Sequence, residues 1–327
     1  MTISRGETAI SPAVSIVLPT FNRPEFLPPA IESIFAQTLT DWELIIADDG
    51  SEADTRAYLQ TLENPPRLRV LYLPHTGKPA AVRNAALREA HGEFVAFLDS
   101  DDIWLPMKLQ TQIASLHRHP SRNWSYTRFV LVDASGNPTA WARRTGGWPV
   151  PGGWILDKLV TGKTAIALPS IVVRRDLLSR IGNFDEDLVG SEDYELYLRL
   201  AAQGEVDAID TVLTLVRRHT QHFSGQGVIP FESNVRIIEK LLRSGAVEHL
   251  RPLLLEQRAE LVAGLAKTRA GSGKRIAALR TLFSSVTYSW RYRRWWYAAL
   301  GATAWALTPE PVQKLARRFR SRWRART

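Results

Sequence analysis

The stretch from residue 92 to residue 106 constrains this chain most. Its five apolar residues at 94–98 indicate a strand buried on both faces, as in a parallel sheet. Three carboxylates follow at once, Asp99, Asp101 and Asp102, and each charge disfavours ionisation of the others. A divalent cation such as Mg²⁺ or Mn²⁺ would relieve that repulsion, because hard ions prefer oxygen ligands. The alternative is a polar loop that only leads into the next helix; the buried strand before it favours the cation site.

Three earlier segments repeat the rhythm of an apolar run, a polar loop and a helical pattern. We predict strands at 14–18, 43–47 and 68–73, a helix whose first turn holds Pro24, and later strands at 126–132, 166–173 and 206–216. This alternation predicts an α/β domain, with a mostly parallel sheet covered by helices on both faces. Ligands of such sheets bind beyond the carboxyl ends of the strands, so the polar residues after the first, second and fourth strands mark the site.

Composition excludes several classes. The chain has no cysteine, which rules out disulfides and thiolate metal sites. Residues 1–12 lack a basic segment followed by an apolar run, and no stretch approaches the 18 or so apolar residues of a spanning helix. We therefore expect neither a secretory signal nor a membrane-spanning segment.

The net charge of +9 lies at the C-terminal end. Residues 286–327 hold ten Lys or Arg against Glu310, so residues 1–285 sum to zero. Apolar periodicity at 231–244, 251–269 and 274–288 predicts helices, and we place the boundary between an α/β domain (1–228) and a helical, basic region (229–327). Arginines interleaved with aromatics favour a helix on an anionic membrane surface, ahead of packing or a homo-oligomer contact, and nucleic acid is the least favoured.

Five short motifs in order resemble the large family 2 of inverting glycosyltransferases, which have the GT-A fold. They cover about residues 13–222, and each is weak alone. The matching segments are Val17–Arg23, Ile46–Ser51, Ala81–Ala86, Gly92–Asp102 and Glu192–Asp193.

The resemblance implies roles by position. Asp193 matches the general base, although acids in the first turn of a helix are ordinarily explained by the helix dipole. Asp101 matches the ligand of a Mn²⁺ or Mg²⁺ cofactor, and His222 is a second candidate ligand whose alternative is a surface histidine. The donor-binding candidates are Pro19, Thr20, Asn22, Arg23, Asp48, Asp49, Lys78, Arg83, Asn84, Asp99 and Ser100. Trp148, Trp154 and Glu192 are the acceptor-side candidates, and packing under a loop is the alternative role for both tryptophans.

The implied reaction moves a sugar from a nucleotide-diphospho-sugar, with a UDP- or dTDP-sugar as first expectation, to a glycan or lipid-linked acceptor. A cytoplasmic protein at the inner face of a membrane, active in surface polysaccharide or glycolipid synthesis, would fit. One departure is His75-Thr76-Gly77, where the family often has Asn-x-Gly. Two rivals stay open: a nucleotidyltransferase, although the first loop lacks the expected glycines, and a non-catalytic nucleotide-sugar or membrane-binding protein on the same scaffold.

Overall fold

The computed structural model describes residues 11–62, 67–145, 147–188, 190–218, 229–245 and 247–308. The chain forms two compact units. The first comprises Met1–Leu188 and Glu192–Phe223, and the second Val189–Ser191 and Ser224–Thr327. That division lies a few residues before the sequence-based boundary at 228/229, and the assignment of a separate role to each part stays a prediction.

The first unit is built on one mixed sheet of eight strands, in the order β3-β2-β1-β4-β7-β6-β8-β5. The pairs β3-β2, β2-β1, β1-β4 and β6-β8 are parallel, and the other three are antiparallel. The strands are β1 (Val14–Thr20), β2 (Trp42–Asp48), β3 (Leu68–Tyr72), β4 (Phe94–Phe97), β5 (Ile103–Trp104), β6 (Trp124–Val132), β7 (Ile171–Arg174) and β8 (Asp207–Arg217).

Helices cover both faces of the sheet, as predicted. In the first unit they are α1 (Leu27–Phe35), α2 (Ala53–Gln60), α3 (Pro79–Arg88), α4 (Lys108–Arg118), α5 (Ala140–Thr145), α6 (Leu156–Val160), α7 (Arg175–Ile181) and α8 (Glu192–Gln203). Helices α1 and α4 bury their apolar stripes in one core cluster with Ile16, Leu44 and Phe94. Strand β4 and Leu98 after it are fully buried, which confirms the reading of residues 94–98.

Three details differ from the sequence-based expectation. The α1 helix begins at Leu27 with Pro28 in its first turn, three residues after Pro24. The strand expected at 166–173 begins at Ile171, because a 3₁₀ turn, Leu168–Ser170, takes up the preceding residues. The two-residue strand β5 was not predicted, since a segment that short has no measurable periodicity.

The second unit is helical and comprises α9 (Ile229–Ser244), α10 (Arg251–Gly271), α11 (Arg275–Ser289) and α12 (Arg293–Leu307). Alanines of α10 (Ala259, Ala263 and Ala266) form a core cluster with Leu282 of α11 and with Trp295 and Ala299 of α12. Small residues on α10 let both neighbouring helices approach closely. Within the part of the chain that the structure describes, no helix has both the length and the apolar character needed to span a bilayer.

Candidate functional site

The carboxyl ends of β1, β2 and β4 lie at one edge of the sheet because the three strands are parallel neighbours. In the register of the sheet Thr20 pairs with Asp48, and Val17 pairs with Phe97, two residues before Asp99. Loops that are far apart in the sequence therefore emerge side by side. Nine of the candidate residues lie on these loops or at the strand ends that lead into them: Pro19, Thr20, Asn22, Arg23, Asp48, Asp49, Asp99, Ser100 and Asp101.

Asp49 organises the loop that follows β3. Its carboxylate accepts hydrogen bonds from the N–H groups of Thr76 (2.8 Å) and Gly77 (2.9 Å) and from the Thr76 hydroxyl (2.9 Å). The Nδ1 atom of His75 lies 3.1 Å from the same carboxylate. Gly50, at φ +76°, allows the close approach, because a Cβ there would sit 2.8 Å from the backbone nitrogen of His75. The loop after β2 (residues 49–52) and the His75–Lys78 loop are thus joined by hydrogen bonds into one surface, which we call the wall.

Asn22 joins the loop after β1 to the loop after β2, and Asp48 stabilises the loop after β2. The N–H of Asn22, at φ +49°, donates to the Ser51 hydroxyl (2.9 Å), and the N–H of Glu52 donates to the Asn22 side-chain oxygen (2.8 Å). Asp48 is fully buried and accepts from the N–H of Ser51 at 3.2 Å. These contacts hold the loop backbone in place, which is a supporting role for both side chains.

The rim of this wall carries both exposed and buried side chains. Phe21 is exposed and stacks on the His75 ring with 4.2 Å between ring centroids. Arg23 is half-buried, and Lys78 is exposed and immediately precedes α3. The hydroxyl of Thr20 is buried and has no hydrogen-bond partner within the described residues. His75, which stands where the family often has Asn, therefore stacks on Phe21 in this protein.

Arg83 on α3 connects the acidic loop, residues 99–102, to the start of α8. Its guanidinium donates to Asp99 (2.7 Å) and to Glu192 (2.9 Å) and lies over the Phe184 ring. Burial lowers the pKa of Arg83, but the attraction of Asp99 and Glu192 outweighs it, and the pKa rises above its ordinary value. The permanent cation therefore ties together two segments that are 93 residues apart (192 minus 99). Because the Glu192 carboxylate is paired with Arg83, its side chain supports the structure of the site.

The acidic loop is also attached to the end of β8. The Asp102 carboxylate accepts from the N–H of Arg217 (2.9 Å), and the Arg217 guanidinium donates to the backbone carbonyl of Asp101 (3.3 Å). Burial, and then the charges of Asp101 and Asp99, raise the pKa of Asp102 well above its ordinary value. Sequence reasoning noted Asp102 in the acidic run but did not connect it with Arg217, because nothing in the sequence pairs residues this distant.

Asn84 serves a different loop from the one expected. Its side chain donates to the Phe184 carbonyl (2.9 Å) and to Glu186 (2.7 Å), and its oxygen accepts from the Phe184 N–H (3.0 Å). All of these contacts fasten the segment before α8. Ser100 is buried beside Asp99 in the acidic loop.

Asp193 lies in the first turn of α8, next to Glu192. Burial, followed by the charge of Glu192, raises the pKa of Asp193 to about 6, against the lowering effects of the Tyr194 N–H and of Arg83. The Tyr194 N–H donates to Asp193 at 2.7 Å, and the Tyr197 hydroxyl lies 3.5 Å from its other oxygen. The charges of Arg83 and Asp99 also act on the pKa of Asp193, the first lowering it and the second raising it. A carboxylate with a pKa just below neutrality suits proton transfer at physiological pH.

The two tryptophans lie in the segment between α5 and α6. Trp148 packs against Trp141 at 5.5 Å between ring centroids, and its carbonyl accepts from Arg128 (3.0 Å). Trp154 is more than half exposed. The structure thus gives Trp148 a packing partner and leaves Trp154 with an open aromatic face. His222 lies outside the described residues.

The carboxylates of the acidic loop suit a divalent cation whose coordination is completed by a bound ligand. Among the described residues no three His, Asp or Glu side chains converge into a metal site of their own. Asp99 and Asp101 nevertheless offer carboxylate oxygens in one loop, where their charges add to the effect of burial in raising the pKa of the neighbouring Asp102. A divalent cation would fit this donor set if phosphate oxygens of a ligand completed its coordination.

Comparison with known proteins assigns the family and the fold. Residues 15–182, just over half of the chain, match the sequence profile described as Glycosyl transferase family 2. The chain belongs to this family. It is accordingly an inverting glycosyltransferase that takes its sugar from a nucleotide-diphospho-sugar, and the nucleotidyltransferase alternative is wrong.

Two curated relatives extend this family 2 match. Over 198 residues the chain is 31% identical to the Escherichia coli enzyme UDP-Glc:alpha-D-GlcNAc-diphosphoundecaprenol beta-1,3-glucosyltransferase WfgD, covering 60% of this chain and 73% of that protein. Over 128 residues it is 38% identical to the putative teichuronic acid biosynthesis glycosyltransferase TuaG of Bacillus subtilis, covering 39% of this chain and 50% of that protein. The matched segment thus spans about half to three quarters of these relatives.

A solved structure confirms the GT-A fold of this family 2 enzyme. The crystal structure of Staphylococcus aureus TarS 1-349 in complex with UDP-GlcNAc superposes with a TM-score of 0.56. The identity is 21%, and the match covers 78% of this chain and 72% of that one. At this level of identity the likeness shows the fold alone.

Proposed function

We propose that this glycosyltransferase binds the donor diphosphate at the edge formed by β1, β2 and β4, with Asp193 as the general base of the transfer. The observation that carries the proposal is the Arg83 bridge. It holds Asp99, on the acidic loop, and Glu192, the neighbour of Asp193, on a single guanidinium. Leaving-group site and base are thereby fixed relative to one another before a substrate arrives.

The reaction follows from this arrangement. The Asp193 carboxylate accepts the proton of an acceptor hydroxyl as its oxygen attacks the anomeric carbon of the donor sugar. The bond between that carbon and the phosphate oxygen breaks, and the nucleoside diphosphate leaves with its electrons. Attack from the face opposite the leaving group inverts the anomeric centre, so the enzyme needs no covalent intermediate. At pH 7 a group with a pKa of about 6 is about nine-tenths ionised, so Asp193 is ready to accept a proton.

In this proposal the nucleoside end of the donor lies against the wall, which is formed by the loops after β1 and β2 and by the His75–Lys78 loop. Phe21 is exposed there, and the buried Thr20 hydroxyl has no hydrogen-bond partner among the described residues. Asp49 keeps the wall rigid through Thr76 and Gly77. We propose uridine as the base, because the E. coli relative is named for UDP-glucose. Lys78 and Arg23 are the cations at the rim that would meet the phosphates.

Asp101, with Asp99 beside it, would hold a Mn²⁺ or Mg²⁺ ion. Family 2 enzymes generally depend on such a cation. When bound, the cation would neutralise charge that develops on the departing diphosphate. The protein's own contribution is to keep Asp99 and Asp101 in place, through Arg83 and through the attachment of the loop to Arg217.

For the acceptor we propose the hydroxyl of a glycan, carried on a lipid or on a growing polymer, in bacterial surface polysaccharide synthesis. The relatives named above act on, or are assigned to, such molecules. Trp154 exposes more than half of its surface and is the aromatic group best suited to lie against a sugar ring. Trp148 supports the same region through Trp141.

The test separates donor binding from chemistry. We expect Asp193→Asn to lower the rate of sugar transfer by about 10²- to 10⁴-fold, the usual contribution of a general base, and to leave the dissociation constant of UDP within about twofold. Calorimetric titrations with UDP, dTDP and GDP, each with Mn²⁺ and with EDTA, measure binding and identify the base. Asp41→Asn, at an exposed carboxylate of the same unit, is the matched control. Wild-type turnover by Asp193→Asn would remove Asp193 as the base.

A further inference from the structure

Helix α12 presents an apolar face that no described part of its own unit covers. Trp296, Tyr297, Leu300 and Leu307 recur at helical spacing, and their exposed fractions are 47%, 71%, 64% and 72%. Gly301 and Ala304, on the same face, are exposed as well. Single exposed apolar residues are ordinary, but a stripe about three turns long marks an interaction surface.

The opposite face of α12 is anchored, so this exposure is a property of a packed helix. Trp295 and Ala299 are buried in the cluster with α10 and α11. The Trp295 indole N–H donates to the Ser285 hydroxyl at 3.1 Å, and Arg275 donates to the Thr308 carbonyl at 3.0 Å. The helix is held at both ends with its apolar stripe turned outward.

Helix α11 exposes a second apolar row. Ile276 and Phe283 are seven residues apart, and Trp290, seven residues further on, is the C-terminal cap of the helix, so the three lie along one side. Their exposed fractions are 70%, 75% and 51%. The two helices thus expose five large aromatic or aliphatic side chains in addition to Leu300 and Leu307, a composition typical of surfaces that meet a lipid interface.

The charge around these rows has one sign. Residues 261–309 contain no Asp or Glu and eight Lys or Arg, and residues 311–327 add seven more cations without an acid. Lys274, Arg280, Arg291 and Arg293 are exposed, and within the described residues none of them forms an ion pair. A surface that is both apolar and uniformly cationic is complementary to anionic lipid headgroups above an acyl layer.

The length of α12 decides whether this helix could cross a membrane or would lie on its surface. At 1.5 Å per residue the 15 residues of α12 extend about 22 Å, short of the roughly 30 Å of a bilayer core. A helix of this length with one polar-free face is suited to lie in the plane of the interface.

We propose that the outer faces of α11 and α12 bind the surface of an anionic phospholipid bilayer. Trp296, Tyr297 and Leu300 enter the boundary between headgroups and acyl chains, while Arg291 and Arg293 contact lipid phosphates. This binding is independent of the glycosyl transfer proposed above, and it would hold the enzyme at the surface where a lipid-carried acceptor resides.

Vesicle co-sedimentation of the full-length protein tests the proposal. We expect binding to vesicles of phosphatidylcholine with about 30% phosphatidylglycerol, weak binding to phosphatidylcholine alone, and weaker binding as salt rises. Leu300→Glu should lower the partition constant at least about tenfold. Met107→Glu is the matched control, since it places the same charge at an exposed apolar residue of the other unit. Circular dichroism verifies that both variants are folded.

Three results would overturn the proposal. One is equal binding by Leu300→Glu and Met107→Glu; another is wild-type binding that does not distinguish neutral from anionic vesicles. The third is a dimer in light scattering that Leu300→Glu dissociates, without vesicle binding by the wild type, since the face would then join two copies of the chain. Loss of vesicle binding with transfer to a soluble acceptor intact would support the membrane role and leave the proposed catalysis untouched.

Discussion

Replacing the proposed base should make the enzyme more stable. Asp193 is costly to the folded protein, because burial and the charge of Glu192 raise its pKa from the ordinary value of 3.8 to about 6. At 1.36 kcal/mol per pKa unit this corresponds to at most about 3 kcal/mol of unfavourable free energy when the carboxylate is ionised. The attraction of Arg83 is already contained in that pKa. We therefore expect Asp193→Asn to raise the free energy of unfolding by about 1 to 3 kcal/mol at pH 8.

The dependence on pH distinguishes this cause from a packing effect. Between pH 3.8 and about 6 the folded protein binds more protons at Asp193 than the unfolded chain does, so stability falls as the pH rises through this interval. Below pH 3.8 the carboxyl is neutral in both states and costs nothing. The advantage of Asp193→Asn should thus be absent near pH 4, grow through pH 6 and be complete above about pH 7.

Thermal unfolding between pH 4 and pH 8 measures the effect. For a unit of this size each kcal/mol corresponds to about 2 to 4 °C in Tm. The control Asp41→Asn, at an exposed carboxylate, should show no comparable gain. In parallel, kcat of the wild type should fall as the pH falls through 6, because the base becomes protonated. A gain that is equal at pH 4 and pH 8, or no gain at pH 8, would refute the reasoning.

Three further predictions concern the scaffold and the cation. Arg83→Leu leaves two carboxylates without their shared partner and should lower the free energy of unfolding by about 3 to 5 kcal/mol in urea titrations; a loss below 1 kcal/mol would contradict the bridge. Gly50→Ala places a Cβ 2.8 Å from the His75 backbone at a positive φ, so it should lower the free energy of unfolding by about 1 to 3 kcal/mol and weaken UDP binding. Unchanged UDP affinity would show that this loop does not contact the donor. EDTA should weaken UDP binding to the wild type, and Asp101→Asn should make that binding insensitive to EDTA; equal EDTA sensitivity of both proteins would exclude Asp101 as the ligand.

Much of the catalytic unit could be predicted because its signals are local. Strands β1, β2, β3 and β4 are short apolar runs bounded by Pro, Gly and Asp, and all four lie within one or two residues of their predicted positions. Once parallel neighbours are assumed, their carboxyl ends must meet at one edge. The acids at that edge were therefore predictable as a group, and so were the helical character and the positive charge of the C-terminal region.

The contacts within that group were not predictable, because they join residues whose separation in the sequence carries no pattern. Asn84 appeared to border the donor, yet its hydrogen bonds fasten the segment before α8. Glu192 appeared to face the acceptor, yet it is half of an ion pair with Arg83. Each depends on how α3 and α8 pack across the sheet, which no short motif encodes.

The division between sequence and structure is therefore a division between chemistry and environment. The sequence by itself determined which groups are present: the carboxylates after buried strands, the absence of cysteine, and the basic segment 261–309, which contains no acid. Only the tertiary structure decided the state of those groups: a carboxyl with a pKa of about 6, a guanidinium paired with two anions, and an apolar helix face that no described residue of its own unit covers. The physical reason is that burial and the positions of neighbouring charges set the pKa and the availability of a side chain, and both arise from packing between distant segments.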